Sequence, residues 1–199
     1  MKLFPSARRA KAKLIQEYQS KKILELSYCT QKSFKMEGRQ EGNRLDLGPD
    51  RQDLTQFPWP ISNDFFDLVI CQNVLEHLPD IAKTLEEFNR IVSPGGKLFI
   101  ETPHYTCYQA YRHFEHCRRF SLGSFDHFLK GNPHYKTDFH IAEKFLFFDD
   151  LSFLLGIGFL ANLFPCFYEK RLAFIFPATS FQVTFLVNKT LSINLTPFV

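Results

Sequence analysis

The sequence predicts an α/β domain, a three-layer sandwich whose mostly parallel sheet ends in an antiparallel C-terminal strand. Two runs of residues carry this prediction. The run from Phe66 to Leu78 begins with an unbroken apolar stretch, which is typical of a strand covered on both faces of a parallel sheet. The run from Pro94 to Ile100 follows one helix length later and opens with a Pro-Gly-Gly turn. Strand, helix, turn and strand together predict a βαβ unit.

The helix between the two runs is amphipathic. Apolar residues recur at one-face spacing at Ile81, Leu85, Phe88 and Val92, and Asp80 suits the first turn. The first run also turns polar abruptly at Gln72 and Asn73. Open α/β sheets bind their ligands at the edge where parallel strands end, so these two residues mark the expected binding cleft.

The other elements follow from the same patterns, as one domain over residues 1–199. The N-terminal half is predicted to contain a basic helix at about 6–20, strands near 22–26 and 43–47, and a short polar third element near 50–55. A fourth strand at 66–71, a helix at 80–92 and a fifth strand at 96–101 follow. The C-terminal half is predicted to contain a His- and Phe-rich insert at 104–135, a strand near 139–147, a helical stretch at 149–173 and a last strand at 181–187.

Composition sets the expected environment. The five cysteines show no paired spacing and no secretory apolar segment opens the sequence, so we expect reduced thiols in a cytoplasmic protein. Residues 1–22 carry seven lysines or arginines and one glutamate. We interpret this segment as a solvated helix packed beside the first strand; an anionic partner or a transit peptide is the alternative.

An uncharged stretch of eighteen residues, 151–168, needs a separate interpretation. Glycine, asparagine and proline interrupt it and charged residues follow at once, so we expect a buried helix lying on the sheet rather than a membrane span. The alternative is a helix that touches a membrane at its interface.

Several ordered motifs resemble one family. They are Phe57-Pro58-Trp59-Pro60, Phe66-Asp67-Leu68-Val69, Leu75-Glu76-His77-Leu78, Pro94-Gly95-Gly96-Lys97-Leu98, Thr102-Pro103-His104-Tyr105, His116-Cys117-Arg118-Arg119-Phe120-Ser121, Tyr168-Glu169 and Phe176-Pro177-Ala178. This series resembles the class I S-adenosylmethionine-dependent methyltransferases, in particular their small stand-alone domains with a Rossmann-like sheet.

The resemblance implies S-adenosylmethionine as cofactor and a set of residues to hold it. These are Glu25 and Ser27 at the first strand, Asp46 and Leu47 at the ribose, Asp53 and Leu54 beside the adenine, and Asn73 after the fourth strand. The chain departs from the family where it reads Ser27-Tyr28-Cys29 in place of Gly-x-Gly, because side chains there crowd a close backbone approach. The alternative hypothesis is therefore a non-catalytic protein of this fold that binds or scaffolds a partner.

The resemblance also implies where the acceptor binds. It places the Pro-His and His-x-Arg segments over the mouth of the site, so His104 and His116 are predicted to contact the acceptor or accept its proton. Tyr105 and Arg118 are predicted to bind substrate, Arg118 at an anionic group. The alternative for each histidine is a hydrogen-bonded loop residue that fixes the insert.

Metal and nucleic-acid functions are not expected. Six of the seven histidines lie between 104 and 140, but His113-x-x-His116-Cys117 shows only one possible ligand pair, whereas structural zinc sites usually show two. No nucleic-acid-binding module is recognisable.

Overall fold

A seven-stranded sheet in the order β3-β2-β1-β4-β5-β7-β6 runs through the computed structural model, which describes residues 7–19, 21–29, 33–40, 43–45 and 53–189. The strands are β1 (Ile23–Cys29), β2 (Ser33–Gln40), β3 (Asn43–Leu45), β4 (Phe66–Gln72), β5 (Val92–Pro103), β6 (Phe139–Phe147) and β7 (Ser180–Val187). The helices are α1 (Ala7–Glu17), α2 (Ile81–Ile91), α3 (Gln109–Arg112), α4 (Asp150–Leu154), α5 (Ile157–Leu163) and α6 (Pro165–Arg171), with 3-10 helices at Leu75–His77 and Leu122–Phe128.

The predicted βαβ unit and the antiparallel C-terminal strand are both confirmed. β4 lies parallel to β1 on one side and to β5 on the other. β7 runs antiparallel to both β5 and β6. The sheet is therefore mixed, with β2 and β7 opposed to the remaining strands.

The N-terminal half of the sheet differs from the prediction. β1 does not turn at Ser27 but continues to Cys29, and it pairs antiparallel with β2, a strand that the sequence pattern did not indicate. The predicted second strand appears as β3, which pairs with β2 rather than with β1. Serine, tyrosine and cysteine suit a strand, and none offers the backbone freedom with which glycine would favour a turn.

β4 is buried on both faces. Leu68 and Ile70 pack with Tyr18 of the segment after α1, together with Ile23 and Phe99. On the opposite face, Val69 and Cys71 belong to a larger core that includes α2 and the C-terminal strands. As predicted, α1 packs beside the first strand, and the Lys11 Nζ lies 2.9 Å from a Glu25 carboxylate oxygen.

α2 and the turn after it match the sequence pattern closely. The Asp80 side chain caps the helix by accepting a hydrogen bond from the Lys83 backbone N–H at 3.0 Å. Leu85 and Phe88 are fully buried. β5 begins at Val92, where the predicted helix still continued, and Gly95, with φ of 78°, bends its first part before the regular pairing with β4 resumes at Lys97.

The uncharged stretch 151–168 is not the buried helix that the sequence predicts. Gly156 adopts φ of 76° between α4 and α5, and Pro165 opens α6, so the chain changes direction twice. The three short helices therefore cannot turn all their apolar residues toward the sheet. Only Gly158, Ala161 and Tyr168 in these helices are buried.

The result is an apolar surface formed by α4 to α6 and the turn after them. Its members are each at least 57 % exposed: Leu151, Leu154, Leu155, Phe159, Leu160, Leu163, Phe164, Phe167, Phe174 and Ile175. Across the ranges described, no helix combines the length and apolar character needed to cross a bilayer.

A substitution at Gly96 tests how closely β5 approaches β4. A Cβ there would lie 2.8 Å from the Asp67 carbonyl oxygen and 2.8 Å from a Val92 methyl carbon. We expect Gly96→Ala to lower the free energy of unfolding by about 1–3 kcal/mol in urea titrations, because the backbone oxygen has no room to move. In the matched control Gly123→Ala, the new methyl group meets its nearest atoms at 3.7–3.9 Å. A change below about 1 kcal/mol is expected there, and equal losses in both variants would contradict the predicted crowding.

Candidate functional site

A cavity of about 350 Å³ opens where β4 and β5 end, at the edge of the sheet that the sequence marks as the binding cleft. It is lined by Gln72, Asn73, Glu76, His77, Pro103, Gln109, His113 and His116. One wall therefore comes from the strand ends and the 3-10 helix after β4, and the other from α3 and the segment after it.

Hydrogen bonds fix the strand ends that form the floor. The Gln72 side-chain amide and the Ser180 hydroxyl each donate to the Glu101 carboxylate. The Asn73 backbone N–H donates to the Glu101 carbonyl at 2.9 Å, and Asn73 adopts φ of 52°, which turns the chain out of β4. Burial raises the pKa of Glu101.

Glu76 is a buried acid beside the cavity. Its side chain is 2 % exposed and accepts a hydrogen bond from the Thr102 hydroxyl at 3.1 Å. Burial raises its pKa to about 7. His77 follows it, and burial, reinforced by the nearby His116, lowers the pKa of His77 to about 4.

His116 completes a compact group with these two residues. Its ring packs edge-on against His77, with ring centres 4.7 Å apart, and burial lowers its pKa as well. Potential ligand atoms of Glu76, His77 and His116 all lie within 4.8 Å of one another. The His113 ring lies on the other side of His116, with ring centres 5.1 Å apart.

Backbone contacts hold the two chain segments of this group together. The Arg118 backbone N–H donates to the Glu76 carbonyl at 3.2 Å, and its guanidinium donates to the Pro79 carbonyl at 2.8 Å. The Cys117 thiol lies 3.4 Å from the His77 carbonyl oxygen. The segment bearing His116 is thus tied directly to the 3-10 helix bearing Glu76 and His77.

Of the residues predicted to act on the acceptor, only His116 lines the cavity. His104 is fully buried, with one ring nitrogen 2.7 Å from the Thr106 hydroxyl and the other 3.2 Å from the Glu169 carboxylate. The Tyr105 hydroxyl donates to the Glu169 carbonyl at 3.1 Å. Together with the Arg118 contacts above, these bonds give His104, Tyr105 and Arg118 positioning roles in the insert, and acceptor contact by them stays a prediction.

The predicted cofactor residues are only partly brought together. Asn73 lines the cavity, and Ser27 pairs with the cavity residue Gln72 across the sheet. Glu25 faces α1 in its ion pair with Lys11. Asp46 and Leu47 lie outside the described residues.

Asp53 and Leu54 lie away from the cavity lining. The Asp53 carboxylate accepts hydrogen bonds from the Thr55 hydroxyl and backbone N–H, which lower its pKa. Leu54 is fully buried, and its carbonyl accepts a hydrogen bond from the Trp59 indole at 3.2 Å. Their predicted place beside an adenine stays a prediction.

The described residues fit a nucleoside-like cofactor on one side of the cleft and not on the other. The ends of β4 and β5 leave an open, polar cavity of suitable size at the expected edge. At the end of β1, however, Ser27 to Cys29 are paired with β2 instead of forming a turn. Residues 27–29 are therefore extended and do not form the turn that the family resemblance implies at these positions.

Sequence reasoning missed Glu76, His77 and Gln109 as cavity residues, whereas His113 was visible in the histidine-rich insert beside His116. Glu76 and His77 lie a few residues after the buried strand β4, near the sheet edge that marks ligand sites in parallel sheets. Gln109 gave no such signal, because it reaches the cavity through the fold of the insert.

Opposite pKa shifts at Glu76 and His77 predict opposite pH dependences in two variants, measured with a chelator present. The raised pKa of Glu76, about 7 against 4.5, means that stability is lost as pH rises through that window. The lowered pKa of His77, about 4 against 6.5, means that stability is gained as pH rises from 4 to 6.5. Glu76→Gln retains only the His77 effect and should gain stability between about pH 5 and about pH 6.5, relative to wild type.

His77→Gln removes the His77 effect and should lose stability over the same interval, relative to wild type. Urea midpoints at the two pH values measure both changes. Parallel slopes in the two variants would contradict the opposite shifts.

Comparisons with known proteins agree on one family. A family model described as a methyltransferase domain matches residues 13–140. Ubiquinone biosynthesis O-methyltransferases from Pseudomonas aeruginosa and Aeromonas salmonicida are each 46 % identical to this chain, over 37 and 39 residues respectively. These segments make up 19 % and 20 % of this chain and only 16 % of each relative.

Solved structures similar to the chain include two S-adenosylmethionine-dependent methyltransferases. The one from Archaeoglobus fulgidus is 13 % identical with a TM-score of 0.49, covering 68 % of this chain and 66 % of that one. The one from Mesorhizobium loti is 18 % identical with a TM-score of 0.44, covering 70 % and 71 %. The family model itself spans more than half of the chain, from α1 to the start of β6, and the chain therefore belongs to the methyltransferase domain family.

Proposed function

We propose that the protein is an S-adenosylmethionine-dependent methyltransferase whose acceptor binds in the cavity at the ends of β4 and β5. The observation that carries the proposal is the placement of imidazoles opposite the polar strand ends in one cavity of about 350 Å³. A methyl transfer needs its two reactants held together in line, and a cleft of this kind supplies that proximity.

The two walls have different roles in this proposal. Gln72 and Asn73, at the strand ends, would hold the cofactor, which supplies an electrophilic methyl group when bound. His116, on the opposite wall, would accept a proton from the acceptor. Its ring lines the cavity, and its Nδ1 has no hydrogen-bond partner among the residues that the structure describes.

The β1–β2 hairpin predicts weak cofactor binding. Because Ser27 to Cys29 are paired in a strand, the backbone N–H groups of a turn are not presented to the ligand. Affinity would then come chiefly from the β4 side. The competing hypothesis, a non-catalytic protein that has lost the cofactor, differs in expecting no binding.

Calorimetric titration with S-adenosylhomocysteine separates the two hypotheses. We expect a measurable dissociation constant, and restoring glycine with Ser27→Gly and Cys29→Gly together should strengthen it by about tenfold, or 1.4 kcal/mol. Ser33→Gly is the matched control, because Ser33 pairs with Cys29 across the same hairpin. This substitution loosens the hairpin without placing glycine at positions 27 and 29. No heat and no thermal shift at millimolar ligand, in either the wild type or the double variant, would contradict the proposal.

A second proposal concerns binding rather than catalysis, and it rests on the apolar surface of α4 to α6. Its exposed leucine and phenylalanine side chains, such as Phe159 and Phe167, sit beside Lys170 and Arg171 at the end of α6. Apolar side chains flanked by cations suit the interface of an anionic bilayer, where the apolar groups enter the acyl boundary and the cations meet the headgroups. We therefore propose interfacial contact with a lipid surface in this region.

Vesicle sedimentation tests the contact with lipid. We expect the protein to sediment with phosphatidylcholine vesicles that contain phosphatidylglycerol, and less with phosphatidylcholine alone, because the cations add an electrostatic attraction. Phe159→Ser with Phe167→Ser should abolish the binding. The control Phe114→Ser removes an exposed phenylalanine outside the apolar surface and should leave it unchanged. Equal loss in the control, or no sedimentation of the wild type, would contradict the proposal.

A further inference from the structure

The side chains of Glu76, His77 and His116 form a group that suits metal binding as well as proton transfer. One carboxylate and two imidazoles meet beside the cavity, with potential ligand atoms all within 4.8 Å of one another. We propose that these three residues bind a divalent transition-metal ion, with Zn²⁺ as the ion that best suits them. Two histidines and one glutamate are a common donor set for zinc sites that keep one coordination position open.

The spacing of the three groups is close to what a metal requires. Ligand atoms at about 2.0–2.2 Å from zinc stand roughly 3.3–3.6 Å apart in a tetrahedral site. The observed limit of 4.8 Å therefore asks for small side-chain rotations rather than a rearrangement of the backbone. The backbone is already fixed by the bond from Arg118 to the Glu76 carbonyl.

The charge of the group also points to a cation. Glu76 is 2 % exposed, and no lysine or arginine within the described ranges forms an ion pair with it. Its hydrogen bond from the Thr102 hydroxyl is a neutral one. A buried carboxylate is costly unless it is paired or coordinates a metal, so a bound cation would stabilise this acid in its ionised form.

His116 offers a ligand atom that the protein itself does not use. Its Nδ1 is buried, and no hydrogen-bond partner for it lies in the described part of the chain. Imidazole nitrogen binds zinc in its neutral form, and a buried nitrogen without a partner is an available donor. The His116 ring also has a hydrogen bond to the Ala110 backbone, so the unpaired Nδ1 is the nitrogen left for a ligand.

The cavity supplies the open position. All three residues line it, so an ion among them faces a space in which a further oxygen or nitrogen ligand fits. In the metal-bound form His116 is a ligand, and His113, which lines the same cavity, remains as the imidazole outside the ligand set. An acceptor oxygen bound to the ion would lose its proton more readily. This last use rests on the proposed methyl transfer, whereas binding of the ion does not.

Direct titration of the chelator-treated protein with Zn²⁺ tests the site. We expect one ion per chain, measured by competition with a chromophoric indicator, and a rise in the thermal unfolding midpoint on loading. Co²⁺ should give the visible absorption of a four- or five-coordinate ion without sulfur ligation. Glu76→Gln, His77→Gln and His116→Gln should each weaken Zn²⁺ binding by at least about tenfold.

Two controls keep the result interpretable. His134→Gln removes an exposed histidine that does not line the cavity, and it should leave the affinity unchanged. Cys117→Ser removes the exposed thiol beside His77 and should also leave it unchanged. Circular dichroism of each metal-free variant establishes that it folds.

The proposal is overturned if folded variants of Glu76 and His116 bind Zn²⁺ like the wild type, or if Cys117→Ser abolishes binding while Glu76→Gln does not. Titration with S-adenosylhomocysteine in the presence of chelator is independent of the ion. If the protein binds Zn²⁺ but not S-adenosylhomocysteine, the metal site is supported and the proposed function is contradicted. If it binds S-adenosylhomocysteine but not Zn²⁺, the proposed function is supported and the metal site is contradicted.

Discussion

Burial of β4 on both faces is the constraint on which the sheet and its cavity depend. Leu68 and Ile70 lie under α1, while Val69 and Cys71 pack on the opposite face in the larger core that includes α2. These four buried side chains help to hold β4 in its parallel register between β1 and β5. That register ends β4 at Gln72 and brings Glu101 of β5 directly beside it. The floor of the cavity is thus a consequence of core packing rather than of any contact with a ligand.

A second buried acid organises the other side of the insert. The Glu169 carboxylate lies 3.2 Å from a ring nitrogen of His104 and accepts a hydrogen bond from the Leu122 backbone N–H. Although burial alone raises the pKa of Glu169, these bonds hold it below its usual value. Glu169 therefore ties together the end of β5, a 3-10 helix and α6. Glu76 contrasts with it, since Glu76 is more deeply buried and its hydrogen bond comes from the neutral Thr102 hydroxyl.

Short sequence patterns predicted those elements whose formation depends mainly on neighbouring residues. The apolar run of β4 and the stripe of α2 up to Phe88 appear where the sequence placed them, and the Pro-Gly-Gly segment lies in the first part of β5. The β1–β2 hairpin was not predictable, because the family resemblance implied a turn and the strand pairing is a tertiary choice. Likewise, Glu76 and His116 are forty residues apart, and they meet through contacts that sequence spacing does not show, among them those of Arg118 and Cys117. The exposure of residues 151–168 follows from two changes of direction that apolar content does not reveal.

The hairpin at β1 has a consequence for how such a chain changes over evolutionary time. The larger core lies around β4 to β7, whereas the cluster beneath α1 contains only a few buried residues, among them Tyr18 and Ile23. Substitutions at the end of β1 that keep its backbone pairing with β2 leave the core around β4 to β7 intact. Selection for a folded protein would not remove them, and only selection for ligand affinity would. The residues on the β1 side of the cleft can therefore change within a lineage, by drift or toward a new ligand, while the residues on the β4 side are retained.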